Sequence, residues 1–219
     1  IIMIMDVPQH HSIQENDKDL PKASGMVIND LMYKHWDHYV TTAPHPFVAD
    51  LNASSITNPI DLLASEPYEC PMEPFGGAEQ LAWSPDSKQI VYTSRKKVGL
   101  KYAISTDSDI YLYDLTSRKT VNLCKPSDYK EPESTPTQSL QAQAVNHQQS
   151  DFNVGYDQNP QFSPDGRYVA WLSMARDGYE SDRSRLCVYE LSTGKKQYVT
   201  ESVESSVNDF LWSSNSKDI

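Results

Sequence analysis

The sequence predicts an all-β fold, a partial β-propeller built from four-stranded antiparallel blades. The first observation behind this prediction is a repeated motif that begins at Trp83, Phe162 and Trp212. An aromatic residue is followed by Ser, by Pro or Ser, by Asp or Asn, by Gly or Ser, and then by Lys or Arg in each copy. Pro fixes φ at the first turn position, and Asp with Gly or Ser closes a tight turn. Each copy is therefore expected to join two strands as a hairpin.

The second observation is another repeated pattern, which follows the first two copies of the motif. Residues 109–115 and 185–191 are runs of strand-forming residues that each end in a turn. A short strand is expected after each, over 120–123 and 197–200. Four strands per repeat correspond to one propeller blade, and a closed propeller has about four to eight blades. The 219 residues hold roughly three blades, which predicts an incomplete propeller with torn edges at both ends.

The predicted organisation is a single domain over residues 1–219. The opening Ile-Ile-Met-Ile-Met is too short for a membrane span or the core of a signal peptide, and we expect a strand there. The expected segments are a degenerate blade at about 26–65 with strands at 31–36, 46–51 and 60–63, a blade at about 78–124, an insert rich in Gln, Pro and Ser at about 125–157, a blade at about 158–200 and the start of another blade at 207–219. The composition of the insert is typical of a long loop or a disordered segment.

Charge and composition exclude several classes of function. The chain has 30 acidic and 19 basic residues, and its net charge of -11 repels polyanions, so nucleic acid is not expected as a partner. No membrane interaction is expected either. Cys70, Cys124 and Cys187 lie far apart and form no CxxC pair, so we predict no metal site. Phosphate-binding glycine motifs and the G-x-S-x-G nucleophile motif do not occur, so the chain is predicted to hold no cofactor and no catalytic residue.

Five histidines cluster before residue 46, and they are weighed as possible metal ligands. They are His10, His11, His35, His38 and His45. Positions three apart on a strand point to opposite faces, so His35 and His38 are poorly placed to share an ion. A structural hydrogen-bonding cluster is the favoured interpretation of this region.

The charged segment 173–183 is the candidate binding site. It is expected to interrupt a blade between its second and third strands. One interpretation is a hairpin loop held by internal ion pairs, and the other is a loop in which carboxylates beside a tyrosine hold an ammonium group. The residues predicted to bind substrate are Glu180, Tyr179, Asp182 and Arg176. The equivalent loop of the preceding blade, 94–108, is basic and is predicted to be a solvated face.

Several longer runs carry a family resemblance that covers nearly the whole chain. These runs are LMYKHWD at 31–37, PHPF at 44–47, PFGG at 74–77 with WSPD at 83–86, and RDGYESD at 176–182. Together with the blade turns, they resemble the TolB-like propellers that precede the catalytic domain of prolyl oligopeptidase-type serine peptidases. The resemblance is strongest to the dipeptidyl-peptidase V-type enzymes.

This resemblance implies a longer enzyme, in which the propeller caps a C-terminal α/β-hydrolase domain with a Ser-Asp-His triad that this chain lacks. It implies that the enzyme removes dipeptides from short peptides and that the propeller gates access and positions the peptide N-terminus. Because the mark of a peptide's N-terminus is an ammonium group, we expect Glu180, helped by Tyr179 or Asp182, to bind it. The implied partners are a short peptide and the enzyme's own hydrolase domain, and the implied location is periplasmic or secreted. The alternative is a non-enzymatic TolB-like propeller that binds protein or carbohydrate.

Overall fold

The computed structural model describes residues 1–9, 11–12, 17–27, 34–35, 38–39, 41–130 and 154–219. Strands dominate these residues, and helix is confined to one 3-10 turn at Ala78–Gln80 and one short α-helix, α1, at Leu100–Ile104. The strands are β1 Ile2–Pro8, β2 His11–Ser12, β3 Met26–Val27, β4 Lys34–His35, β5 His38–Tyr39, β6 Thr42–Asn52, β7 Ser55–Asp61, β8 Leu81–Trp83, β9 Gln89–Ser94, β10 Asp109–Asp114, β11 Lys119–Asn122, β12 Asp157–Phe162, β13 Tyr168–Ser173, β14 Arg185–Glu190 and β15 Lys195–Tyr198.

The strands form three larger antiparallel sheets and two small hairpins. The first sheet has the order β1-β6-β7, the second β8-β9-β10-β11 and the third β12-β13-β14-β15, while β2 pairs with β3 and β4 with β5. In the two four-stranded sheets every strand pairs with the next one along the chain, which is the meander of a propeller blade. The prediction of an all-β fold with four-stranded blades is confirmed, and the chain is a partial β-propeller.

The three sheets stack face to face. The strands β9 and β13 each bury five of their six residues. Since successive side chains of a strand point to opposite faces, such a strand needs a packing partner on both sides. Ile90 and Tyr92 pack in one cluster with Leu63, which follows β7 of the first sheet. Val91 packs in another cluster with Trp171 of the third sheet. Alternation along one strand therefore joins three successive layers.

The repeated turn has the same hydrogen bonds in all three copies. In the first copy the Ser84 hydroxyl donates to the Asp86 carboxylate at 2.7 Å and accepts from the Gln89 backbone N–H at 2.9 Å. The equivalent bonds are made by Ser163 with Asp165 and Tyr168, and by Ser213 with Asn215 and Asp218. The fourth turn position has a positive φ of 58° at Ser87, 71° at Gly166 and 60° at Ser216. The hairpin prediction is confirmed, and Trp83 and Phe162 each end the first strand of a blade.

The variant Ser163→Ala is expected to lower the free energy of unfolding by about 1–3 kcal/mol, because it leaves a backbone donor without its acceptor. Ser163 is fully buried, and its hydroxyl is the acceptor for the Tyr168 N–H. The urea dependence of the labelling of Cys187, a buried free cysteine of the same blade, measures the change. The equivalent variant Ser213→Ala, in a half-buried turn, is the control and should lose less. Equal losses would contradict the argument from burial.

The structure differs from the expected segments at several boundaries. The opening residues form a strand as predicted, and this strand, β1, pairs with β6, so the first sheet starts well before residue 26. Of the strand expected at 31–36, residues 31–33 and 36 lie outside the described residues, as do 131–153 of the expected insert. Both ends of that insert belong to the blades instead: Lys125 is buried, and Asp157 starts β12.

His45 is the histidine of the N-terminal group whose side chain the structure places. Its Nδ1 lies 2.9 Å from the Asp61 carboxylate, and the ring is buried. Asp61 also accepts the Leu63 N–H at 2.9 Å. The pair ties β6 to the end of β7, so a structural hydrogen-bonding role is observed for His45.

None of the helices among the described residues is long and apolar enough to cross a membrane.

Candidate functional site

The candidate loop lies at one end of the stacked blades. Residues 174–184 join β13 to β14, the second and third strands of their blade, as predicted. Residues 95–108, which join β9 to β10, lie at the same end, and so do residues 154–156, which precede β12. Hydrogen bonds from Lys96 to Glu66 and from Tyr102 to Glu69 bring residues 66–69 to this end as well. These four segments are called the loop end below.

Asp182 is committed to holding its own loop together. Its carboxylate accepts from the backbone N–H of Ala175 at 3.2 Å, from that of Arg176 at 3.0 Å, and from the Arg176 guanidinium at 2.9 Å. Burial raises the pKa of Asp182, but the hydrogen bonds and charge of Arg176 more than offset this, and the pKa lies below its ordinary value. The Arg176 guanidinium also stacks over the Tyr179 ring at 4.3 Å. Three of the four predicted substrate-binding residues thus form one internal unit.

Asp177 fastens the candidate loop to the preceding blade. Its carboxylate accepts from the Ser105 hydroxyl at 2.8 Å and from the backbone N–H groups of Thr106 at 2.7 Å and Asp107 at 3.2 Å. The Gly178 N–H donates to the Thr106 hydroxyl at 2.9 Å. These bonds join segments about 70 residues apart in sequence, so the candidate loop and the 95–108 loop are held together across the interface between two blades.

Glu180 is the third carboxylate of the loop, and it takes no part in these structural contacts. It is exposed, and it makes no hydrogen bond or ion pair with any part of the chain that the structure describes. The neighbouring arginines do not neutralise it, because Arg183 and Arg185 both pair with Glu201, at 3.5 Å and 2.9 Å. A group that approaches the loop from solvent therefore meets one uncommitted negative charge.

Tyr156 is half-buried at the loop end, and its carbonyl accepts the Met174 N–H at 2.7 Å. Burial raises the pKa of the Tyr156 phenol; the Arg95 charge lowers it, and the charges of Glu180 and Glu69 raise it further. Glu69 itself is buried and accepts a hydrogen bond from the Tyr102 hydroxyl. The Arg95 guanidinium stacks over the Tyr102 ring at 4.3 Å. The pKa of the Tyr156 phenol thus responds to charged residues from three other segments of the loop end.

The prediction that the basic loop 94–108 is a solvated face is wrong for three of its four cations. Lys97 is buried against Asp107 at 2.9 Å. Lys96 pairs with Glu66 at 2.5 Å, and its ammonium lies 4.4 Å from the centre of the Tyr111 ring. Arg95 stacks as described above. The composition of the loop shows its positive charges, whereas their carboxylate and aromatic partners come from other segments.

A buried ion network lies beneath the loop end, between the second and third sheets. The Lys125 ammonium binds Asp107 at 2.7 Å and Asp109 at 3.0 Å. Burial opposes the charge of Lys125, but the two carboxylates more than offset this and raise its pKa. Lys97 pairs with the same Asp107, so two cations and two carboxylates form a continuous network within the protein.

Three residues beside this network have ligand atoms close enough to hold a metal ion. Oxygens of Asp109 and Asp157 and the Cys124 sulfur lie within 4.8 Å of one another. Lys125 already bonds Asp109 and repels a second cation. Burial also raises the pKa of the Cys124 thiol, whereas a metal binds the thiolate. The arrangement is better suited to hold a proton than a metal ion.

Comparison with known proteins identifies the relatives of this chain. It is 45% identical over 201 residues to dipeptidyl-peptidase 5 of Porphyromonas gingivalis, covering 92% of this chain and 26% of that protein. It is 46% identical over 186 residues to dipeptidyl-peptidase 5 of Porphyromonas endodontalis, covering 85% of this chain and 23% of that protein. The chain is homologous to a segment of the dipeptidyl-peptidase 5 proteins. It spans about a quarter of the length of these curated relatives.

More distant matches carry the same name. The probable dipeptidyl-peptidase 5 of Aspergillus niger is 26% identical over 205 residues, which is 87% of this chain and 25% of that protein. Among solved structures, a putative TolB from Agrobacterium tumefaciens matches 75% of this chain and 39% of its own length, with 17% identity and a TM-score of 0.38. No protein family model matches the chain.

In this dipeptidyl-peptidase 5 homologue, the sequence predicted the position of the loop. It did not distinguish the residues that hold the loop together from the one that makes no such contact. Arg176, Tyr179 and Asp182 contact one another, and Glu180 stands apart; the prediction that the four bind substrate stays a prediction. Sequence reasoning missed Asp177, Tyr156 and Glu69. The Arg-Asp-Gly-Tyr run that was singled out contains Asp177, but its partners Ser105 to Asp107 lie on another blade, and no local pattern connects them.

Proposed function

We propose that this chain is the part of a dipeptidyl peptidase that binds the free N-terminus of a short peptide, with Glu180 as the residue that binds the ammonium group. The observation that carries the proposal is the difference between the three carboxylates of the loop. Asp177 and Asp182 are saturated by contacts of the protein, and Glu180 is exposed without a hydrogen bond or ion pair to the described residues. The names of the relatives supply the reaction class.

The removal of dipeptides from a peptide N-terminus requires a group that recognises the free amine. An enzyme that removes dipeptides must recognise the end of a chain, and the mark of that end is an α-amine with an ordinary pKa of about 7.7–8.0. The amine is therefore largely an ammonium at neutral pH, and a carboxylate is its natural partner through charge-assisted hydrogen bonds. The loop that carries Glu180 is fastened to a neighbouring blade through Asp177, and so it can hold the carboxylate at a fixed place.

We also propose that a further domain of the intact protein, the α/β-hydrolase domain that the resemblance implies, covers the loop end and that the propeller thereby gates access to it. Apolar side chains support this proposal. Val98, Leu100 and Ile104 of the 95–108 loop are 53%, 52% and 44% exposed. Such side chains on one loop are typical of a surface that another part of a protein covers.

The variant Glu180→Gln of the intact protein is expected to lower kcat/KM on dipeptidyl substrates with a free amine by at least about tenfold. The reason is that the charged hydrogen bond to the ammonium is lost, and about 1.4 kcal/mol corresponds to that factor. Release of a chromogenic leaving group measures the rate. Glu190→Gln is the matched control, because Glu190 lies in the turn at the opposite end of the blade.

Two results would contradict the proposal. One is an unchanged kcat/KM in folded Glu180→Gln protein. The other is an intact wild-type protein that releases no dipeptide from any free-amine substrate. The 219-residue chain by itself is expected to release nothing above buffer, because its sequence contains no G-x-S-x-G motif. Turnover by this chain that a serine-directed inhibitor blocks would overturn the assignment of catalysis to another domain.

A further inference from the structure

A cavity of about 810 Å³ lies between the last strands of the second and third sheets. One wall is formed by residues 122–126, at the end of β11 and just after it, and the other by residues 189, 194–196 and 198 of the β14–β15 hairpin. Sites for small molecules have volumes of about 300–1,000 Å³, so the cavity is large enough for one. None of its residues belongs to the four segments of the loop end, and the cavity is therefore separate from the candidate peptide site.

The cavity is positively charged, although the chain as a whole is acidic. Three lysines line it, and no acidic residue does so within the part of the chain that the structure describes, whereas the sequence has 30 acidic and 19 basic residues. The charge of Lys125 is balanced by Asp107 and Asp109. Lys195 and Lys196 make no ion pair with any described residue, so the cavity wall carries two uncompensated positive charges.

Lys196 is held in place across the two sheets. It is half-buried, and its ammonium donates to the Cys124 carbonyl oxygen at 2.7 Å. This bond joins β15 of the third sheet to the residues that follow β11 of the second. An ammonium group has three donors, so two remain for a ligand in the cavity. Lys195 is exposed beside it, where it can approach the same ligand from solvent.

Two half-buried tyrosines, Tyr189 and Tyr198, supply the aromatic part of the wall. The Tyr189 ring packs against Trp171 with 6.2 Å between the ring centres, and the Arg185 guanidinium lies 4.1 Å from the centre of the Tyr198 ring. Gly194 has a φ of 72°, and a Cβ there would lie only 3.4 Å from the Tyr189 hydroxyl oxygen. This hydroxyl makes no hydrogen bond to the described residues, so it is a further donor next to the lysines.

The side chains of the wall offer donors rather than acceptors, and this selects the ligand. The amide oxygen of Asn122 already accepts the backbone N–H groups of Cys124 at 2.8 Å and Lys125 at 3.1 Å. A neutral sugar would bring hydroxyl donors for which these side chains supply few acceptors. A phosphate monoester brings a charge of about -1.5 to -2 and three acceptor oxygens, which matches two free ammonium groups and a phenol.

We propose that this cavity is a binding site for a small organic phosphate monoester. The ammonium groups of Lys195 and Lys196 and the Tyr189 hydroxyl bind the phosphate oxygens. The apolar part of the wall, which includes Leu123 and Pro126, contacts the organic group. The inference does not depend on the proposed function, because the two sites share no residue.

The test measures dissociation constants for the intact protein by calorimetry near neutral pH. The probes are phenyl phosphate, inorganic phosphate and benzyl alcohol. Phenyl phosphate is expected to bind at least about tenfold more tightly than either of the others, because it alone combines the charge with an apolar ring. Lys195→Met and Lys196→Met should each weaken its binding at least about tenfold, since a charge-assisted hydrogen bond is lost. Lys119→Met, at an exposed lysine of β11 that does not line the cavity, is the matched control and should leave binding unchanged.

Three results would overturn the inference. The first is a wild-type protein that does not bind phenyl phosphate. The second is inorganic phosphate or benzyl alcohol that binds as tightly as phenyl phosphate. The third is Lys195→Met protein that binds phenyl phosphate as tightly as Lys119→Met protein. Lys195 has no hydrogen bond or ion pair to the described residues, so this last comparison holds even if the loss of the Cys124 bond prevents Lys196→Met from folding.

Discussion

Replacing Lys125 by Met is expected to destabilise the interface between the second and third sheets by about 3–5 kcal/mol, since removing one partner of a buried ion pair strands the other. The Lys125 ammonium has three contacts of 3.0 Å or less to Asp107 and Asp109. Its side chain is 6% exposed, and those of the two aspartates are 3% and 9% exposed. Water therefore cannot replace the lost cation without opening the interface.

The measurement uses cysteines that are already in the protein. Cys124 and Cys187 are free and buried, and both belong to the apolar cluster between the two sheets. Their rate of labelling in increasing urea reports how often this interface opens. Lys125→Met should raise that rate strongly. Lys195→Met, the same change at an exposed lysine, should change the free energy of opening by less than about 0.5 kcal/mol.

A second substitution tests the cause of the loss. If stranded carboxylates are responsible, adding Asp109→Asn to Lys125→Met should recover part of the stability, because one of the uncompensated charges is removed. A double variant that is weaker than Lys125→Met alone would point to lost packing of the lysine stem instead. A Lys125→Met protein with wild-type labelling rates would show that the ion network contributes little to the interface.

The elements that could be predicted from sequence are those whose cause is local. The blade turns were found because Ser, Asp or Asn and a residue with positive φ stand within a few positions, and the hydrogen bonds at Ser84 and Ser163 close within that span. The strands β10 and β14 were found because each is a continuous run of strand-forming residues. The charged loop was found because it interrupts such a run.

The features that were missed depend on contacts between segments that lie far apart in the sequence. Lys125 appeared to begin a polar insert, because a lysine beside proline and serine is typical of a loop. Its aspartates lie 16 and 18 residues earlier, in another part of the blade. The role of Asp177 depends on Thr106, 71 residues away. Composition shows which charges are present, whereas their burial is decided by the stacking of sheets, which no local pattern encodes.

Replacing Asp157 by Asn is expected to stabilise the same interface by about 3 kcal/mol at neutral pH. Asp157 is fully buried, accepts the Trp171 indole N–H at 2.9 Å and lies close to Asp109. Burial, partly opposed by a hydrogen bond from Ser173 and reinforced by the Asp109 charge, raises its pKa from 3.8 to about 6. A difference of about two pKa units corresponds to about 3 kcal/mol.

The sign of the pH dependence follows from which state binds the proton more tightly. Well below pH 3.8 Asp157 is protonated in the folded and unfolded protein alike, and it costs nothing. As pH rises from 4 to 6 the unfolded state ionises first, so folding must retain a proton and stability falls. Above pH 6 the folded state is ionised as well, and the full cost is present. Asparagine has no proton to lose, so the variant should lack this part of the pH dependence.

Asparagine also suits the contacts at this position. Its side-chain oxygen can accept the Trp171 N–H as Asp157 does, and its amide can donate toward the Asp109 oxygen that has no hydrogen-bond partner among the described residues. The experiment compares Asp157→Asn with the wild type by urea-dependent labelling of Cys124 and Cys187 at each pH from 4 to 8. Because both proteins carry the same thiols, the pH dependence of the labelling chemistry cancels in their ratio. The stability difference should be small at pH 4 and should approach its full value above pH 6. A difference that does not change with pH would show that Asp157 does not titrate in this range.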